Sequence, residues 1–151
     1  MSNEFTGSDF ASPSIQNEPK ATFGIRLVAH IFDAVMVMLV SFPFAVASAV
    51  VEENGSSSSA DLITVLGIIV SFGVYGWWIG NQGGSPLRRT IGVLVLDEKT
   101  GAFIGTKRGV KWVLMSQVSG LALFLGYFAM LWHPNKQTWH DRVANAVVVK
   151  R

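Results

Sequence analysis

Three ionisable side chains lie near the start of the first long apolar stretch of the sequence. Arg26, His30 and Asp33 are spaced i, i+4 and i+7, which places them on one narrow stripe of a helix, with Asp33 about 10 Å deeper than Arg26. An acidic side chain in membrane hydrocarbon costs about 2.5–3.5 kcal/mol, so Asp33 must face protein, water or an opposite charge. The stripe is interpreted as a buried ion pair that fixes helix packing, as a relay for a cation or proton, or as Arg26 snorkelling to the headgroups.

A second group of ionisable residues lies near the C-terminus. His140, Asp141 and Arg142 are consecutive, and they form either a charged cap at the membrane interface or the partner side of an Arg26–Asp141 ion pair. A metal site built from His133, His140 and Asp141 fits no standard ligand spacing. We therefore expect no metal and no cofactor.

The composition indicates that these residues belong to a membrane protein rather than to a soluble enzyme. Half of the 151 residues are hydrophobic and 15% are charged, against about 25% charged in an average soluble domain. The absence of cysteine excludes a disulfide framework, a thiolate zinc site and a cysteine nucleophile. The chain has no phosphate loop, G-x-S-x-G or H-E-x-x-H motif, so we predict that it is not an enzyme.

Three apolar segments follow a polar N-terminal tail. Residues 1–20 predict a disordered tail, and residues 21–151 predict one transmembrane domain. Its spans are expected at about residues 25–50, 62–80 and 110–132, since about 20 apolar residues cross a bilayer as a helix. Cleavage of the first segment as a signal peptide is the less favoured alternative, because the segment is long, contains Asp33 and follows an acidic tail.

The basic residues predict the orientation of the chain. Two precede the first span, none lies in the 52–61 loop, six lie between the second span and the start of the third, and four follow. The positive-inside rule therefore places the N-terminus and the 81–109 loop in the cytoplasm. A third crossing would put the basic tail outside, whereas two short helices hinged near Gly120 would return it. Length alone favours the single third span.

Short β-rich pieces occur in the loop and in the tail. Ile91–Asp97 and Ala102–Ile104 predict a cytoplasmic β-hairpin, and Ala146–Val149 predicts a further strand-like piece. Pairing of the loop with the tail would need both on one side of the membrane. The predicted fold class is an all-α membrane protein: a small transmembrane helical bundle of two full spans plus a third span or a re-entrant helical hairpin, with a short cytoplasmic β-hairpin.

Two weaker patterns concern contacts with lipid and with other helices. Basic residues of the 81–109 loop and the start of the third segment are expected to contact anionic headgroups; they are Arg88, Arg89, Lys107, Arg108 and Lys111. Gly76 and Gly80 form a GxxxG spacing in the second span, which allows close helix packing with another helix, with a second copy or with other membrane proteins.

Three motifs in this order resemble the RDD family of small membrane proteins, which is named for one arginine and two aspartates. Gly24–Asp33 resembles the first helix of that family. Gly84–Val95 is similar to the stretch after its second span, except that Leu87 stands where the family usually has glycine. Gln137–Arg142, followed by Ala146–Val149, resembles its C-terminal signature.

The resemblance implies that Arg26, Asp33 and Asp141 are the naming residues, and it covers about residues 21–151. An Arg26–Asp141 pair, which Arg88 or Arg89 could also approach, requires the third segment to be re-entrant. The family has no settled biochemical role; scaffolding in membrane complexes or transport is usually supposed.

The sequence is compatible with two functions. The first is a non-enzymatic interaction or scaffolding module in a membrane complex. The alternative is a small oligomeric cation or proton transporter that uses intramembrane Asp33 with Arg26. For either function we expect an integral protein of the bacterial plasma membrane with a cytoplasmic N-terminus.

Overall fold

The computed structural model describes residues 15–121, Leu131 and residues 136–151. Predictions for residues 1–14 and for the second half of the 110–132 segment lie outside the described residues, Leu131 excepted, and so does His133. The elements in chain order are a 3-10 turn at Ile15–Asn17, α1 Phe23–Glu53, α2 Ser57–Gln82, α3 Pro86–Thr90, β1 Val93–Asp97, α4 Thr106–Leu121, α5 Trp139–Val143 and β2 Ala146–Lys150.

Helices α1 and α2 form the long hairpin of the molecule. Both are long and apolar enough to cross a membrane, and a helix of 31 residues such as α1 extends about 46 Å at 1.5 Å per residue. Large apolar side chains of α1 point outwards, with Met38 70% and Phe42 66% exposed. A soluble helix would bury such side chains in its core, so their exposure is typical of a helix that faces lipid.

Helix α4 packs against α2 at a close contact between glycines. A Cβ atom added at Gly76 would lie 2.6 Å from Val110 Cγ2, and one added at Gly109 would lie 2.6 Å from the backbone nitrogen of Gly80. The predicted close packing at Gly76 and Gly80 therefore occurs within the chain. Both glycines are buried against α4, so they do not form an open surface for a second copy.

We expect Gly109→Ala to destabilise the protein by about 1–3 kcal/mol, because the added methyl group overlaps backbone atoms that cannot move aside. The matched control is Gly73→Ala, since nothing lies within 4 Å of a Cβ at Gly73. Unfolding of the purified protein in mixed detergent micelles measures both variants. Equal stability of the two variants would show that α2 and α4 are not in this contact.

The β-structure differs from the predicted hairpin. β1 pairs antiparallel with β2, with Val95 opposite Val148, and the described residues 102–104 form no strand. The tight turn after β1 does form, since the Gly101 N–H donates to the Asp97 carbonyl at 3.0 Å. The chain must enter α4 at Thr106, directly after Gly105 in a left-handed conformation, which leaves too little length for a returning strand. β2 pairs with the opposite edge of β1, where the Glu98 N–H donates to the Asn145 carbonyl at 3.1 Å.

The sheet lies at the end of the bundle where α1 begins and α2 ends. The Val95 N–H donates to the Gly83 carbonyl at 2.7 Å, directly after α2. The Ala21 N–H donates to the Val148 carbonyl at 3.0 Å, just before α1. The loop after α2 and the C-terminal tail therefore meet at one end of the helices.

Part of the segment assigned to a disordered tail is ordered. Residues 15–20, here called the strap, form a 3-10 turn and then run along β2, where Lys20 forms a bridge with Val149. Ile15 is buried. The folded region therefore includes residues before position 21, because one apolar side chain and the edge of β2 order this polar segment.

Candidate functional site

A buried ion pair joins the start of α1 to α5. Arg26 donates from Nη1 to Asp141 Oδ2 at 2.5 Å, and both side chains are at most 4% exposed. Arg26 also donates to the carbonyls of Ala21 and Lys136, at 3.2 and 2.6 Å. One guanidinium therefore joins two parts of the chain that are distant in sequence, the start of α1 and residues 136–141.

The local sequence of α5 holds the Asp141 carboxylate in place. Thr138 is the N-cap, and its hydroxyl and the Asp141 carboxylate form a reciprocal capping box. Trp112 of α4 donates its indole N–H to Asp141 Oδ1 at 2.7 Å. Burial alone would raise the pKa of Asp141, but the charge and hydrogen bond of Arg26 and the Thr138 N–H lower it well below its usual value. Asp141 is therefore ionised at neutral pH.

A second buried ion pair joins α1 to α3. Arg88 Nη1 donates to Asp33 Oδ2 at 2.8 Å, and both side chains are at most 3% exposed. The Tyr75 hydroxyl donates to Asp33 Oδ2 at 2.8 Å, and the Ser85 hydroxyl donates to Oδ1 at 2.5 Å. Asp33 thus has the opposite charge and the hydrogen bonds that a carboxylate at this depth requires.

Aromatic rings connect the two ion pairs. The Trp112 ring stacks on His30 at 5.9 Å between centroids and meets His140 edge-on at 4.7 Å. The Arg88 guanidinium lies 5.6 Å from the centroid of the same Trp112 ring. Burial lowers the pKa of His140 to about 4, so His140 is neutral at physiological pH. We call Arg26, Asp33, Arg88, Trp112 and Asp141 the core network.

The charged residues of the predicted α1 stripe form ion pairs with other elements rather than within the stripe. Arg26 and Asp33 do not pair with each other; each takes a partner from outside α1. His30 lies between them and contacts Trp112 and His140. The alternative in which Arg26 snorkels to the headgroups is wrong, because its side chain is 4% exposed.

Two of the five predicted headgroup contacts are engaged inside the protein. Arg88 is buried against Asp33. Arg108 donates to Asp97 at 2.6 Å and to the carbonyls of Ala144 and Asn145. The remaining three, Arg89, Lys107 and Lys111, are exposed. Arg88 and Arg89 are neighbours on α3, and Lys107 and Arg108 are neighbours on α4. Neighbouring residues on a helix point in directions about 100° apart, so one member of each pair faces the protein and the other faces outwards.

Sequence reasoning missed several members of the site. Tyr75 and Trp112 are not among the predicted site residues, yet both donate to buried carboxylates. Thr138 and Ser85 carried readable signals, namely a capping box for Thr138 and an N-cap before proline for Ser85. The departure at Leu87 is accommodated because Leu87 lies inside α3, while Gly83 makes the left-handed turn before it.

The partly exposed ion pair between Asp97 and Arg108 should make the stability of the fold depend on pH in acid. Burial would raise the pKa of Asp97, but the hydrogen bonds of Arg108 and of the Thr100 and Lys99 N–H groups lower it from 3.8 to about 2. The pair therefore stabilises the fold above the unfolded value and loses this contribution as the pH falls towards 2. We expect the stability difference between wild type and Asp97→Asn to shrink between about pH 5 and about pH 3, measured by thermal unfolding; a constant difference would contradict this prediction.

Among the described residues, no group of three or more His, Asp or Glu side chains converges as metal ligands would.

A family model described as the RDD family matches residues 20–145. The chain belongs to the RDD family. No curated protein and no solved structure matches it. The matched region of this RDD protein contains both ion pairs and both apolar helices. Family membership and these two helices fit a membrane protein.

Proposed function

We propose that this RDD protein is a multi-pass protein of the bacterial plasma membrane that acts as a non-enzymatic interaction module in a membrane complex. One observation carries the proposal: all four oxygens of Asp33 and Asp141 accept hydrogen bonds from this chain. The two arginines compensate both charges. Such a network holds elements in fixed positions, which is what a platform for other proteins requires.

A proton relay needs a carboxyl group that exchanges its proton near the working pH. The pKa of Asp141 is lowered, away from that range. Asp33 forms an ion pair with Arg88 and accepts two further hydrogen bonds, from Tyr75 and Ser85, so three groups of this chain hold its carboxylate in place. These features favour a structural role for both aspartates.

We also propose that the N-terminus, the loop after α2 and the C-terminal tail share the cytoplasmic side, and that the third segment is re-entrant. The Arg26–Asp141 pair and the β1–β2 pairing support this topology, because both join the tail to the end where α1 begins. A reporter fused after Arg151 should be active in the cytoplasm; an external reporter would overturn the re-entrant segment.

The remaining exposed basic residues fit a position at the membrane surface. Lys107 and Lys111 lie one turn apart on α4, and Leu114 and Val118 continue the same exposed face deeper along the helix. Together with Arg89 we propose them as the contacts with anionic headgroups.

A flux assay tests the interaction module against its alternative. We expect proteoliposomes with the wild-type protein to show no more proton or cation flux than protein-free vesicles. Affinity purification of the tagged protein from membranes solubilised in mild detergent should recover other membrane proteins at a reproducible ratio to the tagged protein. Flux that Asp33→Asn abolishes would overturn the proposal.

The second candidate, transport, is favoured by one observation. A cavity of about 350 Å³ lies between α1, α2 and α4, and polar groups of Asp33, His30 and Gln117 line it beside apolar walls. A cation or proton could approach Asp33 from there. A single copy of this size can hardly enclose a complete pathway, so this function would need self-association of the chain.

A further inference from the structure

Both faces of the two-stranded sheet are apolar. One face packs on the helices through Val93, Val95, Ala146 and Val148. The other face forms a separate cluster, which we call the outer face; its strand residues are Leu94, Leu96, Val147 and Val149. Leu96, Val147 and Val149 are at most 2% exposed. Because two strands have no second layer of their own, another segment must cover the outer face.

The strap is a cover for that face. Ile15 is 5% exposed and belongs to the outer-face cluster. After Ile15 the strap runs antiparallel beside β2: Lys20 forms the bridge with Val149, and the Lys150 N–H donates to the Pro19 carbonyl at 2.9 Å. The strap therefore acts as a short third strand, and Pro19 has no N–H with which to extend the sheet further.

Within the part of the chain that the structure describes, backbone bonds to β2 and few side-chain contacts hold the strap in this position. Ile15 is its apolar anchor, and Glu18 pairs with Arg151 at 3.0 Å, where the Arg151 side chain is 48% exposed. Exposed ion pairs contribute little to stability and are weakened by salt. Lys20 also donates from Nζ to the Ile15 carbonyl, which is a contact within the strap itself. A competing segment that offers the same contacts could therefore replace it.

We propose that the outer face and the edge of β2 that the strap occupies are the docking surface for an extended segment of a cytoplasmic partner protein that carries one aliphatic and one acidic side chain, and that the strap is its built-in competitor. The partner would add a strand to β2 through backbone hydrogen bonds, place an aliphatic side chain where Ile15 lies, and present a carboxylate to Arg151. The basic side chains at this edge, Lys150 and Arg151, complement such a segment. This inference rests on the proposed interaction module and names its partner surface.

Covalent attachment makes the strap an effective competitor. A tethered segment acts at an effective concentration of about 1 mM or more, so a free segment with equal contacts binds wild type only weakly. Weakening the strap without changing the outer face should therefore increase the affinity for the free segment.

The probe is a fluorescein-labelled synthetic peptide with the sequence of residues 11–22, and the protein is the full chain in lipid nanodiscs. We expect Ile15→Ser in the protein to bind the peptide at least about tenfold more tightly than wild type in fluorescence anisotropy, since the variant strap lacks its anchor. Glu18→Ala, a milder change at the exposed ion pair, should strengthen binding by about two- to fivefold. A peptide with serine in place of its isoleucine should bind neither variant.

The control in the protein is Asn17→Ser, an exposed strap position, which should bind the peptide as wild type does. Equal affinity of wild type, Ile15→Ser and Glu18→Ala would overturn the proposal, and so would binding that does not depend on the peptide isoleucine. Dimers of wild type that Ile15→Ser converts to monomers would instead identify the strap of a second copy as the occupant, and would also overturn it. The flux assay is independent of all these results, so failure here leaves the interaction module separately testable.

Discussion

Replacing Asp141 with alanine is expected to lower the free energy of unfolding by about 3–5 kcal/mol. The change leaves the buried guanidinium of Arg26, whose side chain is 4% exposed, without an opposite charge. It also removes the acceptor of the Trp112 indole N–H and one half of the α5 capping box. Titration of the purified protein with SDS in mixed micelles measures the loss.

A double-mutant cycle separates the ion pair from the other contacts of Asp141. Arg26→Met and Asp141→Ala should each be strongly destabilising, and the double variant should cost less than the sum, because neither charge is then left alone. The matched control is Arg142→Gln, the exposed neighbour in the same helix, which should change stability by less than about 0.5 kcal/mol. A cost for Asp141→Ala as small as that of Arg142→Gln would contradict the buried pair.

The long helices could be predicted from the sequence because a continuous apolar run identifies a membrane helix without knowledge of its tertiary contacts. Residues 62–80 lack any charge, and they lie within α2, the helix at Ser57–Gln82. The β1 strand was likewise predicted from its own short apolar run, Val93–Leu96. Its partner was not, since local pattern cannot decide between Ala102–Ile104 and Ala146–Lys150; that choice depends on how the third segment returns.

The partners of the charged residues were only partly predictable. The helix period correctly placed Arg26, His30 and Asp33 near one another, and Arg26–Asp141 was foreseen on condition of a re-entrant segment. The Asp33–Arg88 pair spans 55 positions of sequence, and no periodicity within one helix can specify it. Because burying the Asp33 charge is costly, the sequence implied that Asp33 has a partner. Only the packing of α3 against α1 identifies that partner as Arg88.

Replacing Arg88 with methionine is expected to lower the free energy of unfolding by about 3–5 kcal/mol, because Asp33 would remain buried without its cation. Methionine keeps the volume of the side chain, so the loss reports the charge and the hydrogen bonds to Asp33 and to the Val93 carbonyl. Unfolding by SDS measures it. Asp33→Asn in the same protein should recover part of the loss, since an amide needs no counter-charge.

Arg89→Met provides the comparison that separates an ion pair from a lipid contact. Arg89 is the next residue of the same five-residue helix, but it is exposed and donates to Gln82 at the surface. Its replacement should change stability by less than about 0.5 kcal/mol, and any effect should depend on the fraction of anionic lipid. The Arg88→Met loss should be the same in neutral and in anionic bilayers, because its partner is Asp33. If the two variants instead respond alike to lipid charge, Arg88 faces headgroups and the α1–α3 ion pair does not form.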